Sequence, residues 1–201
     1  MARANITATR RKEIIDATVR VMAARGWNET SVDEITREAN VSRGLISYHF
    51  KDKAELLSGV LERSREIFSD AVSAAMAASS DPVEQMRLAS RAAILQARDD
   101  PVAHEVFLNF SASGRDNAAL HSQVQALYQG FRDVTARAIR AGQERGYYRP
   151  DLDPDAAAAR HQGAIIGVAL QWLLAPGAFD LEATADLAIE MLMSALSPKT
   201  S

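Results

Sequence analysis

Apolar side chains recur along this chain at intervals of three and four residues, and no β-branched runs alternate between hairpin turns, so the pattern predicts helices and no strands. Ile14, Ala17, Thr18, Val21 and Met22 mark a first helix from about Thr9 to Arg25, with Gly26 as its stop. Ser31 is placed to cap Val32–Ala39, with Glu34 at the capping-box spacing, and Ser42 to cap Arg43–His49. Between these two short helices Asn40 sits where the chain must turn, and Asn tolerates the left-handed conformation. Asp52 caps a long helix running toward Ala77, with Leu56, Leu57, Val60, Leu61, Ser64, Phe68 and Ala71 on one face.

The later boundaries are written in Asp-Pro pairs, a capping carboxylate followed by proline at the first helical position. Asp81-Pro82 opens a helix to about Arg98, and Asp100-Pro101 a short one to about Phe110. The polar stretch Ser111–Asn117, which includes Gly114, reads as a loop. A long helix follows from about Ala118 to Arg145, ended by Gly146, and residues 147–152 form another loop. Asp153-Pro154 opens a helix to Leu174, Ala175-Pro176-Gly177 breaks it, and Asp180 caps a last helix from Leu181 to about Leu196. The expectation is an all-α chain of nine helices.

Composition narrows the function classes. Apolar residues at 47% and charged residues at 24% are ordinary for a folded domain, and 201 residues suffice for one domain or a small one joined to a larger. With no cysteine, disulfides, thiolate nucleophiles and Cys-ligated zinc are excluded. No apolar signal region and no long apolar span is visible, so the expected place is the cytoplasm, with no membrane partner. The net charge of −3 is uneven: residues 1–53 sum to +3 and residues 54–201 to −6. A basic head on an acidic body points toward an anionic partner for the head.

The chemistry of the head lies in the segment VDEITREA-NVS-RGLISYHF. Two short helices joined by a compact turn read as helix-turn-helix: Ile35 and Ala39 brace the first helix on the core, and Val41 and Ile46 pin the second. The outer face of the second is left free to enter a major groove. An enzyme is the rival class. However, His49, His104, His121 and His161 show no metal-ligand spacing, and there is no phosphate-cradling Gly loop and no G-x-S-x-G elbow. No catalytic residue, metal site or cofactor is expected. A helical adaptor, the other rival, has no need of Arg43, Tyr48, His49 and Lys53 at these places.

RRKEIIDATVRVMAARGW followed by TSVDEITREANVSRGLISYHFKDKAELL resembles the DNA-binding domain of the TetR family of transcriptional regulators. Asn40 stands where that family more often has Gly. The resemblance implies a TetR-like architecture: an N-terminal three-helix helix-turn-helix domain over residues 1–53, and a C-terminal helical domain over 54–201 that dimerises and binds an effector. It also implies a ligand-responsive regulator, most often a repressor, bound as a homodimer to a palindromic double-stranded DNA operator and released by a small molecule. Carried over by position, Arg43, Gly44 and Leu45 start the recognition helix, where the family touches bases. Ser47, Tyr48, His49 and Lys53 stand near phosphates, Thr30 and Ser31 offer donors at a helix start, and Ser42, which caps the recognition helix, is a further DNA-binding candidate. Phe50 reads as core, and Arg3, Arg10, Arg11 and Lys12 as an arm for a neighbouring groove.

In the body, Ala159, Gly163 and Gly167 leave room for a second helix, and Leu181, Ala185, Ala188, Leu192 and Ala195 form a narrow apolar stripe. Both are expected at a two-fold four-helix interface. By resemblance the middle helices enclose an effector cavity, with Phe107, Phe110, Tyr128, Phe131, His161, Ile165 and Trp172 as candidate ligand-binding residues, Leu120 as a further lining residue, and Arg91, His104, Asn109, His121 and Gln162 as orienting groups. A mostly apolar lining suits a hydrophobic or aromatic molecule.

Overall fold

The computed structural model describes residues 2–26, 29–113 and 118–198, with side chains from 7–26, 29–112 and 120–198. Among these residues it contains nine α-helices and no strand. They are α1 (Ala2–Arg25), α2 (Val32–Ala39), α3 (Arg43–His49), α4 (Lys53–Met76), α5 (Pro82–Asp99), α6 (Val102–Ser113), α7 (Ala118–Glu144), α8 (Pro154–Leu174) and α9 (Leu181–Leu196).

The caps follow the sequence signals. Ser31 and Glu34 form a reciprocal capping box, and Asp81, Asp153 and Asp180 each accept a backbone N–H of the helix they open. Asn40 lies in the left-handed region at φ 51°, ψ 51°, closing α2 through its own N–H. Three boundaries differ from expectation. Helix α1 starts at Ala2, because residues that lack apolar spacing still continue the helix. Asp100 ends α5, its N–H bonded to Gln96 O. Ser111–Ser113 extend α6, where the Ser111 hydroxyl bonds back to Phe107 O and so loses its argument for a loop; residues 114–117 of that loop lie outside the described residues.

The helices group into two compact units. The first takes residues 1–67 and 102–124, the second 68–101 and 125–201. In the first, α1 is the spine: Ile14, Ala17, Thr18 and Met22 are fully buried, and Ile35, Ile46, Phe50, Leu56 and Val60 of α2–α4 join them. Gly59 of α4 admits Ile15 so closely that a Cβ there would lie 2.8 Å from its Cδ1. Arg63 of α4 holds Asp16 of α1 at 2.7 Å. Helix α6 belongs to the same unit through the buried Ala103, Val106, Phe107 and Phe110.

In the second unit, α5, α8 and α9 pack together. Ala93, Ile94 and Leu95 of α5 meet Ile165 of α8 and Leu181 and Ala185 of α9. A second cluster joins Ile139, Tyr148, Ala158, Ile189, Met193 and Leu196. Arg91 and Arg98 of α5 bridge to Glu182 and Asp186 of α9 at 2.8–3.2 Å. The apolar stripe on α9 is therefore largely spent inside the chain: Leu181, Ala185 and Leu192 are buried in this unit. The large apolar side chains that α8 and α9 leave exposed are Leu174, Leu187 and Met191, at 70%, 59% and 67%. Gly163 and Gly167 of α8 have no atom within 4 Å of a built Cβ.

Candidate functional site

Helix α3 is fixed on one side and open on the other. Ile46 and the following Phe50 are buried and hold it on the core, while Ser42, Arg43, Gly44, Ser47 and Tyr48 are exposed, Tyr48 to 74%. Leu45 and His49 are half-buried, and the His49 and Tyr48 rings meet edge to face. Ser42 caps the helix by accepting Leu45 N–H at 3.3 Å, so its start is an ordered cluster of backbone donors. The start of α2 lies alongside. Thr30 is buried with its hydroxyl donated to Gly26 O, and Ser31 is engaged in its capping box. The Glu34 carboxyl of that box is held below the ordinary carboxylate range, chiefly by the Ser31 backbone N–H. Arg43 is not free: its guanidinium grips Asp33 of α2 at 2.6 Å. Lys53 is exposed at the first residue of α4. Within the basic arm, Arg10 pairs with Glu13, and Arg11 bonds Glu55 and lies 4.8 Å over the Phe50 ring. Arg11 thus ties α1 to α4, Arg10 sits in an exposed pair within α1, and Lys12 stays exposed. The Arg3 side chain lies outside those described.

The second unit contains a cavity of about 350 Å³ between α4, α5, α7 and α8. Its apolar wall includes Phe68, Val72, Met76, Met86, Phe131 and Ile165, and Val134 and Tyr147 lie at exposed positions along it. Tyr148 closes one side against Gly142, where a Cβ would overlap its ring. The polar groups in the wall are sparse. His161 Nε2 lies 2.8 Å from Ser90 Oγ, and Gln162 Nε2 donates to Thr135 Oγ1 at 2.7 Å. His161 is 2% exposed, its Nδ1 has no partner, and burial, helped by Arg160, pushes its pKa down to about 4. Among the described residues Arg145 is the one charged side chain lining the cavity.

Two family models cover most of the chain: "Bacterial regulatory proteins, tetR family" matches residues 14–60, and "BetI-type transcriptional repressor, C-terminal" matches residues 82–197. The chain belongs to the TetR family. TetR-family proteins are DNA-binding transcriptional regulators and not enzymes, and that is the class of this chain. Among curated relatives it is 29% identical to the HTH-type transcriptional regulator TtgR of Pseudomonas putida, over 94% of this chain and 92% of that protein. Among solved structures, a TetR-family transcriptional regulator from Rhodococcus sp. superposes with a TM-score of 0.82 at 23% identity, covering 94% of this chain and all of that one. FadR from Bacillus subtilis, solved in complex with stearoyl-CoA, superposes with a TM-score of 0.76 at 24% identity, covering 92% and 98% of the two chains.

The candidate DNA-reading residues lie just before α2, along α3 with its cap Ser42, and at the start of α4, all in the first unit. The candidate effector residues divide. Phe131, His161 and Ile165, with Gln162, line the cavity. Phe107 and Phe110 are core residues of the first unit, as is Leu120; Tyr128 packs on Phe131, and Trp172 packs edge to face on Phe179. Arg91 is tied to α9, and Asn109 bonds Glu105 O beneath Gly26. His104 is half-buried and His121 exposed, both in the first unit. Sequence reasoning passed over Ser90, Thr135, Met86 and Tyr148. Hydroxyls one turn from a carbonyl read as ordinary helix residues, and nothing in their spacing announces a shared cavity. It also passed over Asp33, whose role needs Arg43 beside it.

Proposed function

We propose that this regulator binds a palindromic duplex operator as a homodimer, acts as a repressor, and is released when a small molecule fills the cavity of the second unit. The observation that carries this reading is the outer face of α3, exposed from Ser42 to Tyr48 while Ile46 and Phe50 anchor it. In this reading residues 1–53 read DNA and residues 54–201 dimerise and bind the effector. Arg43, Gly44 and Leu45 meet base edges, Ser42, Ser47, Tyr48, His49 and Lys53 meet phosphates, and Thr30 and Ser31 contribute backbone N–H groups, since the Thr30 hydroxyl is already donated. The effector residues are Phe131, His161 and Ile165 with the other cavity walls. One short recognition helix supplies little specific affinity, so two are needed, and the exposed Leu174, Leu187 and Met191 with the open Gly163 and Gly167 supply the surface that would join two copies.

The test is duplex binding by the full chain across a salt series. Lys53→Ala weakens binding to operator and random duplex alike and flattens the salt dependence, because a phosphate contact is lost. Arg43→Ala costs about 1–3 kcal/mol on the operator and relaxes preference at one base position. Equal affinity of the unaltered protein for operator and random DNA at moderate salt refutes the reading.

A further inference from the structure

The wall of the cavity is graded from buried to exposed. Ala93 of α5 and His161 and Ile165 of α8 are buried. The exposed lining residues are Ser73, Val134, Ala138, Arg145 and Tyr147, which belong to α4, to α7 and to the turn that follows α7. The cavity therefore opens along α4 and α7 and closes on α5 and α8. Arg145 stands at that opening. Among the described residues its guanidinium makes no ion pair and no hydrogen bond. In the same unit Arg91, Arg98, Arg140 and Arg149 are each held by a carboxylate. Arg87, Arg137 and Arg160 make no ion pair either, but none of them lines the cavity.

This grading decides where the polar end of a ligand can go. A lone carboxylate pushed to the α5–α8 side would lose its water and find no charged partner, which is costly. At the opening it keeps water and meets a guanidinium that no other group holds. An ammonium there meets a like charge and no counter-ion. Asp70, Asp81, Asp133 and Glu144 each adjoin a lining residue in sequence, yet none of them lines the cavity. The apolar Phe68, Val72, Phe131 and Ile165 are left for the body of the molecule. A cation just past a helix C-terminus also offsets the helix dipole. At α7 the carbonyls of Gly142 and Gln143 are already taken by the N–H groups of Tyr147 and Gly146, and a dipole role would serve any ligand equally.

We infer that the cavity takes an amphipathic organic anion, with its apolar body against α5 and α8 and its carboxylate at the α4–α7 opening, where Arg145 reads it. The inference rests on the proposed effector role of the cavity but concerns binding, so it is tested apart from DNA release.

The probes are 2-naphthylacetate, its neutral amide 2-naphthylacetamide, and 2-(2-naphthyl)ethylammonium, which share an apolar body and differ in the head. Each is titrated into the full chain by calorimetry at low and at moderate salt. The carboxylate is expected to bind about 3–10-fold more tightly than the amide at low salt, and the ammonium most weakly. The advantage shrinks at moderate salt, because Arg145 is exposed and its charge is screened. Arg145→Gln abolishes the preference for carboxylate over amide, and Arg145→Lys, which keeps the charge, retains most of it. A role for Arg145 in the end of α7 alone would move all three affinities together. Equal binding of carboxylate and amide at low salt, failure of the carboxylate to bind, a preference for the ammonium, or a preference that survives Arg145→Gln each overturns the inference. If the carboxylate binds as expected and operator affinity is unchanged, the anion-reading site stands and the proposed release of DNA fails for that ligand.

Discussion

At the scale of single residues, the charge that opens α3 is held by a neighbour before any ligand arrives. Arg43 is held by Asp33, with both side chains more than half exposed, so in the proposed DNA contact it would have to leave that grip. An exposed pair contributes little to folding, but in the proposed DNA contact Asp33 would also place a negative charge beside the phosphate backbone. Asp33→Asn is expected to raise affinity for random duplex by about 2–5-fold at low salt, and to narrow the gap between operator and random DNA. Fluorescence anisotropy on both duplexes reads the change, and an unaltered ratio removes Asp33 from the account of specificity. His161 carries a pH dependence whose sign follows from its environment. Its pKa falls from the ordinary 6.5 to about 4 on folding, so between those values the unfolded chain binds the extra proton. Stability is complete above pH 6.5 and declines as pH falls toward about 4, by about 3 kcal/mol in the limit. Urea midpoints across that window are expected to fall less in His161→Phe than in the unaltered protein.

At the scale of elements, glycines and caps set where helices stop and how closely they pass. Gly142, in the last turns of α7, accepts the Tyr147 and Tyr148 N–H groups through its carbonyl and takes the Tyr148 ring against its α-carbon. A methyl group at this position overlaps the ring, and Tyr148 is 4% exposed, with little room to swing away. Gly142→Ala is expected to lower stability by about 1–3 kcal/mol despite the better helix propensity of alanine. Thermal melts check it, and a variant as stable as the parent contradicts the packing described here. Elements of this kind were largely legible in the sequence, because Asp-Pro, Ser-x-x-Glu and terminal glycines act locally: α2, α3, α8 and α9 begin and end where their caps say. The misses share a physical cause. Ser111 looks like a loop residue until its hydroxyl finds Phe107 O, and Phe107 and Phe110 look like pocket aromatics because periodicity gives an inward face without saying which interior it meets. The cavity wall is assembled from four helices far apart in sequence, and only three of the seven candidate effector residues in the sequence lie on it.

At the scale of the whole molecule, the decisive surface is the one that α8 and α9 leave uncovered. The stripe of α9 that looked like an interface is largely buried within the chain, through Leu181, Ala185 and Leu192, and the large apolar residues turned outward are Leu174, Leu187 and Met191. Gly163 and Gly167 pose the sharpest question. Glycine inside a helix costs about 1 kcal/mol relative to alanine, and at neither position does anything within the chain approach a built Cβ. In the proposed dimer, a close crossing by a helix of the second copy would account for both. Gly167→Leu separates the two roles of the position. Within one chain leucine meets open space and favours the helix, so the isolated subunit is expected to be at least as stable. Across a two-fold contact the branched side chain has no room, so the dimer loosens, and operator binding weakens because the two recognition helices are no longer held at a fixed spacing. Sedimentation and operator titration on the same preparation give the answer. A variant that stays dimeric and binds its operator as tightly as the parent places the contact elsewhere, and a parent that sediments as a monomer at micromolar concentration removes the interface altogether.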